Sequence, residues 1–368
     1  MSSTRDKIMT AVFVVFIFAM LALFIVLPKT DTSVNEKRTL AGLPEFSIKS
    51  VFSGTFENNV EDYLTDHFPF RDGFVAANSY FELASGRNGV SGIYKGKDGY
   101  LINTPVKNVN FDRNATTICE FASKSEIPVT VMIVPTVGGV MSDRLPKNHA
   151  PYQDKEFIDK MYESLAEFAE TVDLVEVFDK LSDEEQLYYK TDHHWTSSGA
   201  YEAYMAIEPD AYDAAEFEIE SYDGFYGTSY SKSALWLEDS ENVELWTYPA
   251  NITVTIDDGG KRETYSDMFF REHLDEADKY PVFLNGNHAY TRIENHDVDG
   301  GRLLMVKDSY GNSLAPFLAR HYNIVDMVDL RYFTETVTEL ANREKYDKIL
   351  IVYGLSTVAE TTDINMLE

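Results

Sequence analysis

Residues 302–318 read RLLMVKDSYGNSLAPFL. The first six form a short, almost wholly apolar run of the length of a buried strand. The last six return to apolar spacing at a helical period. Between them stands Asp308-Ser309-Tyr310-Gly311-Asn312, so a strand runs into a turn and a helix is expected to begin near Ser313. A serine at such a junction is exposed at the carboxyl edge of the sheet, where open α/β folds bind ligands. The neighbouring backbone N–H groups lie at a helix amino end, suited to receive a negatively charged oxygen. This is the logic of a nucleophile elbow, although the G-x-S-x-G motif is absent.

The same rhythm extends on both sides. PVTVMIVP (128–135), VDLVEVF (172–178), NIVDMVD (323–329) and KILIVYG (348–354) read as further buried strands. Helical spacing places Phe157, Met161, Leu165 and Phe168 on one face of 154–170. It also places Phe56, Val60, Tyr63 and Leu64 on one face of a helix over 55–68, which Pro69 ends. Short apolar strands alternating with helices imply an α/β fold: a parallel sheet with flanking helices. Residues 210–300 break the rhythm. They are rich in Tyr, Asp, Gly and Thr, with alternating runs such as NITVTI (251–256), and are expected to form a β-rich insertion.

At the amino end, residues 8–27 (IMTAVFVVFIFAMLALFIVL) carry no charge, and Pro28 follows. As a helix they span about 30 Å, the thickness of the hydrocarbon layer. Arg5 and Lys7 precede them, which places the amino terminus in the cytoplasm. A cleaved signal peptide is the rival, but its apolar region is shorter and ends at a small-residue site. The expected organisation is a cytoplasmic tail (1–7), a transmembrane signal anchor (8–27), a linker (28–45) and an extracytoplasmic domain (46–368), with the insertion at about 210–300.

The chain has 368 residues, 44% of them hydrophobic and 13% aromatic, enough to build a core. Its formal net charge of -29 repels phosphate backbones and argues against nucleic-acid binding. A single cysteine, Cys119, rules out an internal disulfide and any CxxC metal or redox site. It falls in an amphipathic helix (Ala115–Ser123) and reads as a packing residue.

A second segment carries chemistry: YYKTDHHWTSSGAYEAY (188–204). Asp192, His193, His194 and Trp195 stand just before a helix that Thr196 or Ser197 would cap. A carboxylate two residues from an imidazole can fix its tautomer and stabilise its protonated form. With the strand-end serine, this gives a candidate Asp192–His194–Ser309 triad for acyl transfer. Two other readings stay open for the histidines. One is a structural hydrogen-bonding cluster beside Trp195. The other is metal ligation with Asp192, although adjacent side chains diverge and further ligands would be needed. A DHH triplet also occurs in manganese phosphoesterases, but their other aspartate-bearing motifs are not evident. Neither a metal nor a cofactor is expected.

TDHHW (191–195) with KDSYGNS (307–313) resembles the DHHW proteins of Gram-positive bacteria, which are similar to the alginate O-acetylation proteins. EKRTLAGLPEF (36–46), NNVEDYLTDHFPFRD (58–72), KDGYLI (97–102), GFYGTSYSKSALW (224–236) and DLRYF (329–333) extend the resemblance over most of the chain. It implies an SGNH-hydrolase-like domain, with Asp192, His194 and Trp195 matching the D-x-H-W segment and Asp308-Ser309 the G-D-S segment. Lys307 stands where that glycine often is. The implied activity is transfer or removal of acetyl groups on a cell-surface polysaccharide, with a membrane-bound O-acyltransferase as donor partner.

Within that picture the oxyanion donors are the Ser309 backbone, the Asn312 side chain, and Gly286 with Asn287 in FLNGNH (283–288). For both asparagines an ordinary turn is the alternative. Arg331 follows a strand end on the same sheet edge, to bind a carboxylate or, preferably, to hold a loop by a salt bridge. Tyr310, Trp195, Tyr226 and Tyr230 are candidates for stacking on sugar rings, against ordinary packing. A non-catalytic envelope protein that binds glycan or a membrane partner is the alternative to an enzyme.

Overall fold

The computed structural model describes residues 4–368. Residues 1–3 of the expected 1–7 tail lie outside the described residues. The chain divides into two compact units, Met1–Val90 with Ser231–Leu237, and Ser91–Tyr230 with Glu238–Glu368.

The first unit opens with a helix, Thr4–Val26, long and apolar enough to cross a membrane. Helices Thr55–Asp66 and Arg71–Ala84 follow. The boundary expected at residue 45 lies inside this unit. The reason is a set of charged contacts: Arg38 NH1 donates to Asp66 Oδ2 at 2.9 Å, Arg71 donates to Glu36 at 2.6 Å, and the Ala41 N–H donates to Asp66 at 2.8 Å.

The second unit is built on one eight-stranded sheet. Its strands, in chain order, are β1 (Val129–Val134), β2 (Glu170–Val172), β3 (Ile252–Asp258), β4 (Lys261–Tyr265), β5 (Tyr290–Asn295), β6 (Arg302–Lys307), β7 (Ile324–Val328) and β8 (Lys348–Gly354). Their spatial order is β4-β3-β5-β7-β6-β8-β1-β2. From β7 to β2 every pairing is parallel. Strands β5, β3 and β4 add to the β7 edge antiparallel.

The stretch expected as a β-rich insertion is rich in strands, and three of them join the main sheet. Ile252, Val254 and Ile256 are buried and alternate with half-buried threonines. Such one-sided strands suit an antiparallel edge, so β3 to β5 widen the main sheet. The remaining strands of 210–300 are a hairpin, Glu218–Phe225 with Glu241–Thr247.

Period-two alternation splits the core between the two sheet faces. Leu303, Met305, Leu350 and Val352 share one face with Trp195, Tyr204, Leu314 and Phe317. Leu304, Val306, Ile349 and Ile351 share the other with Phe111, Ile158, Met161 and Leu165. Helices Ser197–Ile207 and Tyr310–Leu318 cover the first face, and Phe111–Lys124 and Asp154–Leu165 the second.

Two local expectations are revised. VDLVEVF is not a strand: β2 ends at Val172, and Asp173 accepts from the Glu176 N–H and caps a helix, Leu174–Leu181. Leu174 and Phe178 are the buried pair, spaced by four. Phe168 lies beyond the end of the Asp154–Leu165 helix and is 45% exposed.

Candidate active site

Ser309 follows β6 by two residues and heads the Tyr310–Leu318 helix, which starts three residues earlier than expected. Its backbone is ordinary right-handed helix (φ -62°, ψ -20°), so the turn lacks the strain of a true elbow. Its hydroxyl makes no capping bond. Instead Ser309 Oγ lies 2.6 Å from His194 Nε2. On the other side of the ring, His194 Nδ1 lies 2.6 Å from Asp192 Oδ1. An ionised carboxylate can only accept, so Nδ1 carries a proton, and an unprotonated Nε2 can accept from the serine hydroxyl. The structure thus brings all three sequence candidates into one hydrogen-bonded chain.

The local fold explains this alignment. Tyr188 and Trp195 pair across a tight antiparallel loop, with the Tyr189 N–H donating to the His194 carbonyl at 3.1 Å. Asp192 Oδ1 also accepts from the His194 N–H at 2.9 Å. Its other oxygen accepts from the Thr228 N–H at 2.6 Å. Asp192 is 1% exposed. Burial opposes its ionisation, but His193, His194 and these hydrogen bonds win and hold the carboxyl well below the usual range. Glu241 pins the preceding residues, accepting from the N–H groups of Lys190 and Thr191, each at 2.8 Å.

Two tyrosines frame the imidazole. The Tyr280 ring stacks on His194, 3.9 Å away and 12° from parallel. Its hydroxyl donates to the Ser309 carbonyl at 3.2 Å. Tyr310 meets His194 edge-on at 5.1 Å and donates to the His193 carbonyl at 2.7 Å. Sequence reasoning missed Tyr280, which sits in a short 3-10 turn (Tyr280–Val282) with no motif around it. It also missed Gly227 and Thr228, whose only signal was their place in GFYGTSY.

Three of the four aromatic candidates for sugar stacking are buried, as ordinary packing would have it. Trp195 is fully buried, and its Nε1–H donates to Ser313 Oγ at 2.8 Å. Tyr230 and Tyr310 are buried too. Their rings support the loop from within. Tyr226 is half-buried, 4.4 Å from the Tyr230 ring.

Around the serine turn, Tyr310 N–H donates to Asp308 Oδ1 at 3.0 Å, and Gly311 and Asn312 N–H donate to the carbonyls of Asp308 and Ser309. No bond from the Ser309 N–H exists among the described residues. Asp308 is structural, its Oδ2 accepting from the Gly354 N–H at 2.8 Å and Thr357 Oγ1 at 2.6 Å. Asn312 and Asn287 meet beside the turn, Asn312 Nδ2 donating to Asn287 Oδ1 at 3.1 Å. Gly286 holds a left-handed φ of 86° just before Asn287. Arg331 grips Asp329 through Nε at 2.8 Å and NH2 at 2.5 Å, the loop salt bridge preferred for it over carboxylate binding.

Asp192, His193 and His194 offer ligand atoms within 4.8 Å of one another. Both oxygens of Asp192 and both ring nitrogens of His194 are already engaged. A cation here would have to break the link to Ser309 or to Asp192, so the donor set fits proton relay better than metal binding.

Comparison with known proteins places these residues in context. The family model described as DHHW protein matches residues 36–120 and 117–328. A DHHW family protein from Eubacterium siraeum superposes with a TM-score of 0.66 at 21% identity, over 75% of this chain and 95% of that one. PatB1 of Bacillus cereus, solved with a sulfonyl adduct, gives 0.63 at 19% identity, over 75% and 98%. The O-acetyltransferase domain of Pseudomonas putida AlgJ gives 0.47 at 12% identity, over 75% and 95%. No curated protein sequence matches.

Proposed function

Since the chain belongs to the DHHW family, we propose that it is a serine acyltransferase or esterase that moves acetyl groups on a cell-surface polysaccharide. The observation that carries the reading is the unbroken chain from Asp192 Oδ1 through His194 to Ser309 Oγ, with both links at 2.6 Å. In the reading, His194 Nε2 takes the Ser309 proton as Oγ attacks the acetyl carbonyl carbon. The developing oxyanion is received by the Ser309 N–H and the neighbouring Asn287 side chain. His194 then returns the proton to the departing oxygen, leaving an acetyl ester on Ser309. A polysaccharide hydroxyl, or water, attacks that ester with His194 again as base, and the serine is restored.

The acetyl group and the polysaccharide rest on the family resemblance, as does the SGNH-like assignment of the sheet. PatB1 was solved with a sulfonyl adduct, which suggests sulfonylation as a probe of Ser309 here. Residues 8–27 act as an uncleaved anchor behind a short cytoplasmic tail. The chain after Pro28 works outside the membrane beside a membrane-bound O-acyltransferase donor.

The test is hydrolysis of an activated acetyl ester by the full chain in detergent, beside Ser309→Ala and His194→Ala. The expected result is turnover by the parent chain and background rates for both variants. A phenylmethanesulfonyl group should appear on Ser309 in the parent and fail to appear in Ser309→Ala. Equal rates in all three proteins would remove the triad and leave a binding role.

A further inference from the structure

Lys307 is 2% exposed at the end of β6, two residues before Ser309. By strand alternation it shares the face of Leu303 and Met305, the face that Tyr310–Leu318 covers. Room is made for it there: a Cβ on Gly311 would come within 2.7 Å of Lys307 Cβ and 2.9 Å of its Cγ. A buried ammonium is costly, and burial lowers its pKa to about 8. Stability alone would favour an apolar residue. Neutralising Asp329 does not explain the lysine either. Arg331 already holds both Asp329 oxygens, whereas the Lys307 ammonium stands 3.8 Å off.

Its close contacts are two carboxamide oxygens. Lys307 Nζ donates to Asn312 Oδ1 at 2.7 Å and to Asn287 Oδ1 at 3.2 Å. An ammonium has no acceptor, so each amide must turn its oxygen toward it and its NH2 away. Asn287 Oδ1 receives Asn312 Nδ2 as well. That leaves Asn287 Nδ2 with no bond among the described residues, on an exposed residue lying against the first turn of the helix that Ser309 heads. Without the ammonium, the Asn287 and Asn312 amides are free to flip.

Building on the serine reading, we propose that Lys307 is a positioning residue for acyl transfer. It locks the Asn287 and Asn312 carboxamides so that the Asn287 NH2 faces outward as a fixed donor to the oxyanion at Ser309. The lysine itself touches no substrate.

The test uses the full chain with Lys307→Met, Asn287→Ala and the double variant, measuring acetyl-ester kcat and KM, thermal unfolding and the rate of sulfonylation of Ser309. Removing one oxyanion donor costs on the order of 100-fold in kcat. Lys307→Met should lower kcat roughly 10- to 100-fold with KM little changed and no loss of thermal stability. Asn287→Ala, at an exposed position, should fold normally and lose a similar factor. The double variant should be no slower than the slower single, because one device has been removed twice.

Multiplicative losses in the double variant, parent-like kcat in Lys307→Met or in Asn287→Ala, or a fall in kcat that tracks a fall in stability would each overturn the proposal. Should Lys307→Met not fold, Asn287→Ala decides alone. If those outcomes appear while Ser309→Ala is inactive, only the positioning role is lost. If turnover does not depend on Ser309, the serine reading fails and takes this one with it.

Discussion

Replacing Gly227 with alanine should damage the site from outside it. A Cβ there would lie 2.5 Å from Asp192 Cα and closer still to Asp192 Cβ and the Thr191 carbonyl oxygen. Real Cβ contacts hardly ever fall below 3.0 Å, and ordinary contact begins at 3.4 Å. The obstructing atoms include backbone, so the strands of the loop must separate by about 1 Å. The His194–Ser309 link has little slack, since 2.6 Å can stretch only to about 3.2 Å before the bond weakens. A 1 Å misplacement of reacting groups costs roughly 100-fold, about 2.7 kcal/mol of barrier. Overpacking should cost about 1–3 kcal/mol of stability.

The assay is acetyl-ester turnover with sulfonylation of Ser309 and a thermal melt. Gly73→Ala is the control. It lies on an exposed helix with nothing within 4 Å, and should keep full activity and gain up to about 1 kcal/mol. Parent-like turnover in Gly227→Ala would refute the argument that this close approach sets the Asp192–His194 geometry.

Further expectations concern the ring stack, the buried lysine and the anchor. Tyr280→Phe keeps the stacked ring and loses the hydroxyl contacts to the Ser309 carbonyl and Ser313 Oγ, so kcat should fall less than about threefold; Tyr280→Leu should fall at least about tenfold. The Lys307 pKa is about 8 folded against the ordinary 10.5, so between those values the unfolded chain binds more protons and stability rises with pH. From pH 7.5 to 9.5 the parent should gain about 2 kcal/mol over Lys307→Met in urea unfolding, and equal slopes would contradict the buried charge. Deleting residues 1–28 should move the chain from membranes to the soluble fraction, and continued sedimentation with membranes would reject Thr4–Val26 as the sole anchor.

Much was written locally. RLLMVK and KILIVYG became strands over the residues expected, because a buried parallel strand is a continuous apolar run and needs no partner to be recognised. Thr196 caps its helix through the Gly199 N–H, a signal carried by residue type alone. Asp192 and His194 are two residues apart, so their hydrogen bond belongs to one tight loop. VDLVEVF failed because its apolar residues satisfy both a strand and a helical period, and only the Asp173 cap and the burial of Leu174 and Phe178 choose between them. Strands β3 to β5 were foreseen as strands but not as part of the main sheet. Their alternation was legible, but pairing with β7 is a long-range event that no local pattern encodes.

Tertiary structure alone decided the rest of the site. His194 and Ser309 are 115 residues apart in the chain, and their link exists because the loop before Ser197–Ile207 and the end of β6 converge on one sheet edge. Tyr280 and Gly227 matter through what they touch, a ring face and a backbone, and neither residue type announces that. Lys307 is the sharpest case. In sequence it is a lysine where a glycine often stands, and it reads as a defect in a motif. In the fold it is a buried cation facing two amide oxygens, because strand alternation points it under the helix that Ser309 begins.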